Sequence, residues 1–93
     1  MPMYITLMNF TDQGRQDVAT MPDRADGVAK RIEAEGGTVI GSWLTMGRFD
    51  QIAVVEAPND EAAAKLLLII AGRGNVATET LRAFTMDEVR ALL

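Results

Sequence analysis

The chain contains no cysteine and no histidine among its 93 residues. Without cysteine there is no disulfide, no thiol nucleophile and no thiolate metal site. Without histidine the commonest general base near neutral pH and the commonest metal ligand are both missing. A Ser-His-Asp triad, a histidine-ligated haem and an ordinary zinc site are excluded, so neither a cofactor nor a bound metal is expected. Positive charge is also scarce, with nine basic residues against thirteen acidic ones and a net charge of −4. Binding to nucleic acid or to an anionic membrane needs a basic surface, and neither is expected as a partner. The longest apolar run, Leu66 to Ala71, is far too short to cross a bilayer. The opening Met-Pro-Met-Tyr-Ile-Thr lacks the basic and apolar regions of a signal peptide. A cytoplasmic location is therefore expected.

Hydrophobic residues make up 48% of the chain, which marks it as globular. Its length suits one domain, residues 1–93, with no room for a second core. A chain of this size buries only about 60–70% of the surface it exposes when unfolded. The core of one copy is modest, and oligomerisation would add to it.

Met3 to Phe10 reads as a first strand. Thr11 or Asp12 then caps a short helical turn through Gln16 to Val18. Pro22 opens a helix to about Glu35, with Ala25, Val28, Ala29 and Ile32 forming one apolar stripe. Gly36-Gly37 stops it. Thr38 to Met46 and Phe49 to Ala57 read as two strands joined by the two-residue link Gly47-Arg48, an antiparallel hairpin. Asn59 or Asp60 caps a further helix with a core face of Ala63, Leu66, Leu67 and Ile70. Gly72-Arg73-Gly74-Asn75 closes it. A phosphate-binding loop is excluded there, because such loops precede a helix. Val76 to Phe84 is a fourth strand, and Thr85-Met86-Asp87-Glu88 is a capping box before a final helix.

This order predicts an α+β fold, the ferredoxin-like βαββαβ arrangement with a C-terminal helix. Two helices cover one face of a four-stranded antiparallel sheet. Half of every strand points to the other face, which needs a cover of its own. A second copy of the same sheet is the expected cover, giving a homo-oligomer. Leu68 and Ile69 fall outside the core stripe of their helix, which predicts cover from the C-terminal helix or from contacts beyond the simple dimer.

A set of short motifs resembles the GYD-domain family: Tyr4, Asn9-Phe10-Thr11-Asp12-Gln13-Gly14, Gly47-Arg48-Phe49-Asp50, Val55-Glu56-Ala57-Pro58-Asn59-Asp60, Gly74-Asn75-Val76 and Thr80-Leu81-Arg82-Ala83-Phe84. The resemblance spans nearly the whole chain. It implies the dimeric α/β barrel fold and little chemistry, the family being largely uncharacterised. In the motif that names the family, Gly47 and Asp50 are retained and Phe49 stands in the tyrosine place. The phenol hydroxyl is lost, and a packing role for the ring is kept.

Asp50 is the one candidate for a general base or ligand anchor; its local alternative is to accept hairpin N–H bonds or pair with Arg82. Thr78, Thr80 and Arg82 point the same way from one strand. Arg82 is a candidate for gripping a carboxylate or phosphate, with the two threonines as hydroxyl donors; an ion pair and plain strand formation are the alternatives. Trp43 is a candidate wall for an apolar ligand, or packs in the core or dimer. Glu56 with Asp60 makes a weak hard-cation pair. The expected function is an oligomeric small-molecule-binding or structural module. Its ligand would lie between the open sheet face and the loops, near Trp43, Asp50, Thr80 and Arg82. The alternative is a cofactor-independent enzyme, of isomerase or oxygenase type, with Asp50 as base. That alternative rests on fold analogy.

Overall fold

The computed structural model describes residues 1–93. The elements run β1 (Met3–Phe10), α1 (Asp12–Gln16), α2 (Met21–Ala34), β2 (Thr38–Leu44), β3 (Gln51–Glu56), α3 (Asp60–Arg73), β4 (Val76–Ala83) and α4 (Met86–Leu92), with a 3-10 turn at Val18–Thr20 ahead of α2. Three of the helices start where a side chain satisfies a free backbone N–H. The Gly14 N–H donates to Thr11 Oγ1 (3.2 Å) at the head of α1. The Ala62 N–H donates to Asn59 Oδ1 (2.9 Å) at the head of α3. Before α4, the Glu88 N–H donates to Thr85 Oγ1 (3.1 Å) and the Thr85 N–H to Glu88 Oε1 (3.0 Å), the expected capping box. The Thr85 amide holds the Glu88 carboxyl below its usual range. Gly74 ends α3 at φ 76°, a left-handed conformation that a side chain resists.

The four strands form one antiparallel sheet in the order β2-β3-β1-β4, as a ferredoxin-like α+β fold requires. Helix α2 leans on edge strand β2, and α3 on edge strand β4. The inner strands β3 and β1 run beneath the gap between them. Tyr4, Ala57 and Ala63 form the centre of the core, with Val55 and Ala62 against them. Ile32, Leu66 and Met8 are buried as well. No large side chain is completely enclosed, so the core of a single copy is thin.

The hairpin is wider than the sequence suggests. Strand β2 ends at Leu44 and β3 begins at Gln51, leaving residues 45–50 as the connection in place of Gly47-Arg48 alone. Thr45 closes this loop: its N–H donates to the Asp50 carbonyl (2.9 Å) and its hydroxyl to the Phe49 carbonyl (2.6 Å). Apolar residues such as Met46, 97% exposed, continue the strand pattern in sequence but find nothing to pack against. Phe49 and Asp50 therefore sit in the loop, not on opposite sides of a strand.

The C-terminal helix covers neither the sheet nor Leu68. It has no extensive packing partner within the chain, and Met86, Leu92 and Leu68 are all well exposed. No helix is long and apolar enough to cross a membrane.

Candidate functional site

The motif Gly47-Arg48-Phe49-Asp50 builds a clasp at one end of the sheet. Gly47 has φ 124°, so its place in the loop excludes a side chain without strain. The Arg48 guanidinium lies 5.4 Å from the centre of the Phe49 ring, a cation–π contact at the surface. Asp50 then bonds the loop to β1 in both directions. Its N–H donates to the Met8 carbonyl (2.9 Å), and its Oδ2 accepts the Phe10 N–H (2.9 Å). Its carbonyl accepts Thr45, as above. The carboxylate thus holds a backbone amide of the neighbouring strand, and it forms no ion pair with Arg82.

The pairing register divides the sheet into two unlike faces. Tyr4, Thr6 and Met8 of β1 stand opposite Arg82, Thr80 and Thr78 of β4, and opposite Val55, Ala53 and Gln51 of β3. This is the face beneath α2 and α3. Ile5 and Leu7 stand opposite Leu81 and Glu79, and opposite Val54 and Ile52. Trp43 pairs with Ile52 and Gly41 with Val54, so both share that second face. No helix covers it. Trp43 is 52% exposed and Leu81 46% exposed. The indole lies directly over Gly41, where a Cβ would stand 2.4 Å from the ring.

The residues singled out in the sequence are therefore not brought into one pocket. Trp43 lies on the open face, Thr78, Thr80 and Arg82 on the helix-covered face, and Asp50 at the sheet end. Thr80 Oγ1 is 3.2 Å from Thr6 Oγ1. Arg82 lies over two rings, 4.2 Å from the centre of Phe84 and 5.7 Å from that of Tyr4. Its guanidinium also donates to the carbonyls of Ala83 and Met3. No three acidic side chains converge, and Glu56 with Asp60 gains no third carboxylate.

Tyr4 has a polar partner that the sequence did not reveal. Its hydroxyl donates to Asp60 Oδ1 in the first turn of α3, tying β1 to a helix 56 positions away. The two residues meet only once α3 is docked, so no local pattern signals them. Burial, then the bond to Asp60, push the phenol above its ordinary value. The neutral phenol is thus favoured in the folded state, and its contribution to stability is complete below about pH 10 and is lost as pH rises above it. Tyr4 is the chain's one tyrosine. Tyrosinate absorbance should titrate at higher pH in the native protein than in urea, and Tyr4→Phe should flatten the alkaline loss of stability. Coincident native and unfolded titrations would contradict this placement.

The helix-covered face also holds a partly open cavity of about 120 Å³. Ala25, Val28 and Ile32 of α2, Leu66 and Ile70 of α3, and Ala53 of β3 line it. Its polar margin includes Arg73 and Asn75, which the sequence presented only as a helix stop.

The chain is similar to known proteins over its whole length. The family model described as "GYD domain" matches residues 4–93. A protein of Thermus thermophilus, named "Glutamine synthetase and cystathionine beta-lyase binding protein", is 33% identical over 94 residues, covering 100% of this chain and 99% of the relative. No solved structure matches the chain significantly.

Proposed function

The chain belongs to the GYD domain family, and we propose that it serves as a cytoplasmic protein-binding module. Two copies pair through their open sheet faces, and the pair docks onto metabolic enzymes, glutamine synthetase and cystathionine β-lyase among them. The observation that carries this reading is the full-length similarity to a protein named for binding those two enzymes. The open face supports the pairing: Ile5, Leu7, Ile52, Val54, Leu81 and Trp43 give it a largely apolar surface, interrupted by Glu79 opposite Leu7, without a helix over it. An exposed apolar patch of this kind marks an interaction surface.

The sheet alone is a small interface. Strands of about seven residues, at 3.3 Å per residue and 4.8 Å between strands, give a flat footprint of roughly 440 Å². A stable interface buries about 800 Å² per partner. The exposed Met86 and Leu92 beyond the end of β4 are apolar and adjoin the sheet in sequence, and they supply further contact area.

The clasp supports a binding role over catalysis by Asp50, whose carboxylate already accepts the Phe10 amide. Calorimetric titration against purified glutamine synthetase and cystathionine β-lyase from the same organism tests the proposal. Saturable binding to at least one enzyme is expected. Absence of heat and of co-elution with both would defeat the proposed partners.

A further inference from the structure

We infer that the cavity between α2, α3 and the sheet is a binding site for a small carboxylic acid, its aromatic or branched aliphatic body enclosed between the layers and its carboxylate held by Arg73. The site is on the opposite face of the sheet from the proposed dimer contact and does not depend on it.

Size and polarity set the body of the ligand. The space is about 120 Å³, and an apolar cavity of about 150 Å³ holds a benzene ring. Some polar groups in its wall pair with one another. Thr6 pairs with Thr80 (3.2 Å), and the Gln51 side-chain amide donates to Ser42 Oγ (3.0 Å). No buried side-chain polar atom lacks a partner. Most of the lining is hydrocarbon, so an apolar body matches it better than a polar one.

Charge sets the head group. In a chain with four more acidic than basic residues, the cavity is lined by two arginines and by no carboxylate. Arg24 is occupied, donating to the Asp17 carbonyl (2.8 Å) and Thr20 Oγ1 (2.9 Å). Arg73 forms no ion pair, and the hydrogen bond at this residue is accepted by its carbonyl, from Gln13 Nε2 (2.9 Å). Its guanidinium fork is free for bidentate contact with a carboxylate. The end of α3 would otherwise repel an anion through its bare carbonyls. Here those carbonyls are covered: Arg73 by Gln13, Gly74 by the Thr11 hydroxyl (2.6 Å), and Ala71 by the Gly74 N–H (3.1 Å). Asn75 Oδ1 accepts Gln13 (3.0 Å), which leaves its own amide nitrogen available as a donor.

The probes are benzoate, phenylacetate and 3-phenylpropanoate, each set against the neutral alcohol of the same carbon skeleton, with binding followed by calorimetry and by amide chemical shifts. At least one carboxylate should bind tenfold or more tightly than its alcohol, shifting Ala53, Leu66 and Ile70 and leaving Ile52 and Leu81 in place. Arg73→Gln, at an exposed position, should remove that tenfold preference while the fold is kept. Ala53→Leu should fill the space and abolish binding of all the probes. Equal binding of acid and alcohol, retention of the preference in Arg73→Gln, shifts confined to the open face, or no binding by any acid would each overturn the inference.

Discussion

Replacing Asp50 with alanine is expected to lower the unfolding free energy by about 1.5–3 kcal/mol, the range for hydrogen bonds to a charged group. The Phe10 N–H donates to this carboxylate at 2.9 Å in a partly buried setting, and alanine leaves that donor without its partner. In urea, where a small domain loses about 1–3 kcal/mol of stability per molar, the midpoint should fall by roughly 1–2 M. Asp50→Asn keeps an oxygen acceptor and loses only the charge, so its cost should be about half. A midpoint unchanged in Asp50→Ala would remove the clasp from the account and return Asp50 to the pool of catalytic candidates.

Asp50 also shows where the sequence was legible and where it stopped. The helix starts and stops are local decisions: the sequence narrows two caps to Thr11 or Asp12 and Asn59 or Asp60, gives the Thr85 capping box outright, and puts a stop in Gly72-Arg73-Gly74-Asn75, where the structure selects Thr11, Asn59 and Gly74. The end of β2 is not, because Thr45 and Met46 keep the branched and apolar character of a strand. What stops pairing there is a pair of bonds from Thr45 back across the loop.

The faces of the sheet show a second limit. Alternation groups Thr78, Thr80 and Arg82 together, as the register does. It could not say which group the helices cover, since period 2 fixes relative and not absolute facing. Both sides of β1 are rich in apolar residues, Tyr4 and Met8 on one, Ile5 and Leu7 on the other. The irregularity between Val39 and Gly41 then shifts the phase of β2, placing Val39 and Ser42 over the cavity and Trp43 on the open side. A pocket joining Trp43 to Thr80 and Arg82 would have to pass through the sheet. The cavity escaped notice for a related reason: α2 and α3 each have an ordinary apolar stripe, and the space arises from the gap between the two helices.

Leu81→Glu is the substitution with the largest expected effect on assembly. Leu81 is 46% exposed in the single chain, so a glutamate there keeps its hydration until a second copy arrives. In a two-fold interface every substitution appears twice on the same self-complementary patch. In the proposed pair this would strip water from two further carboxylates on a face that already carries Glu79, with no arginine there to receive them. Weakening of the dimer by a hundredfold or more is expected, about 3 kcal/mol. Native mass spectrometry at about 10 µM should move from the dimer mass to the monomer mass, with the far-ultraviolet circular dichroism of the fold retained. Trp43, the chain's one tryptophan, lies on the same face and reports the change independently: its emission should shift to the red as the face opens to water. A wild-type chain that is monomeric at this concentration, or a Leu81→Glu variant that stays dimeric with an unshifted Trp43, would show that the open face meets something other than its own copy.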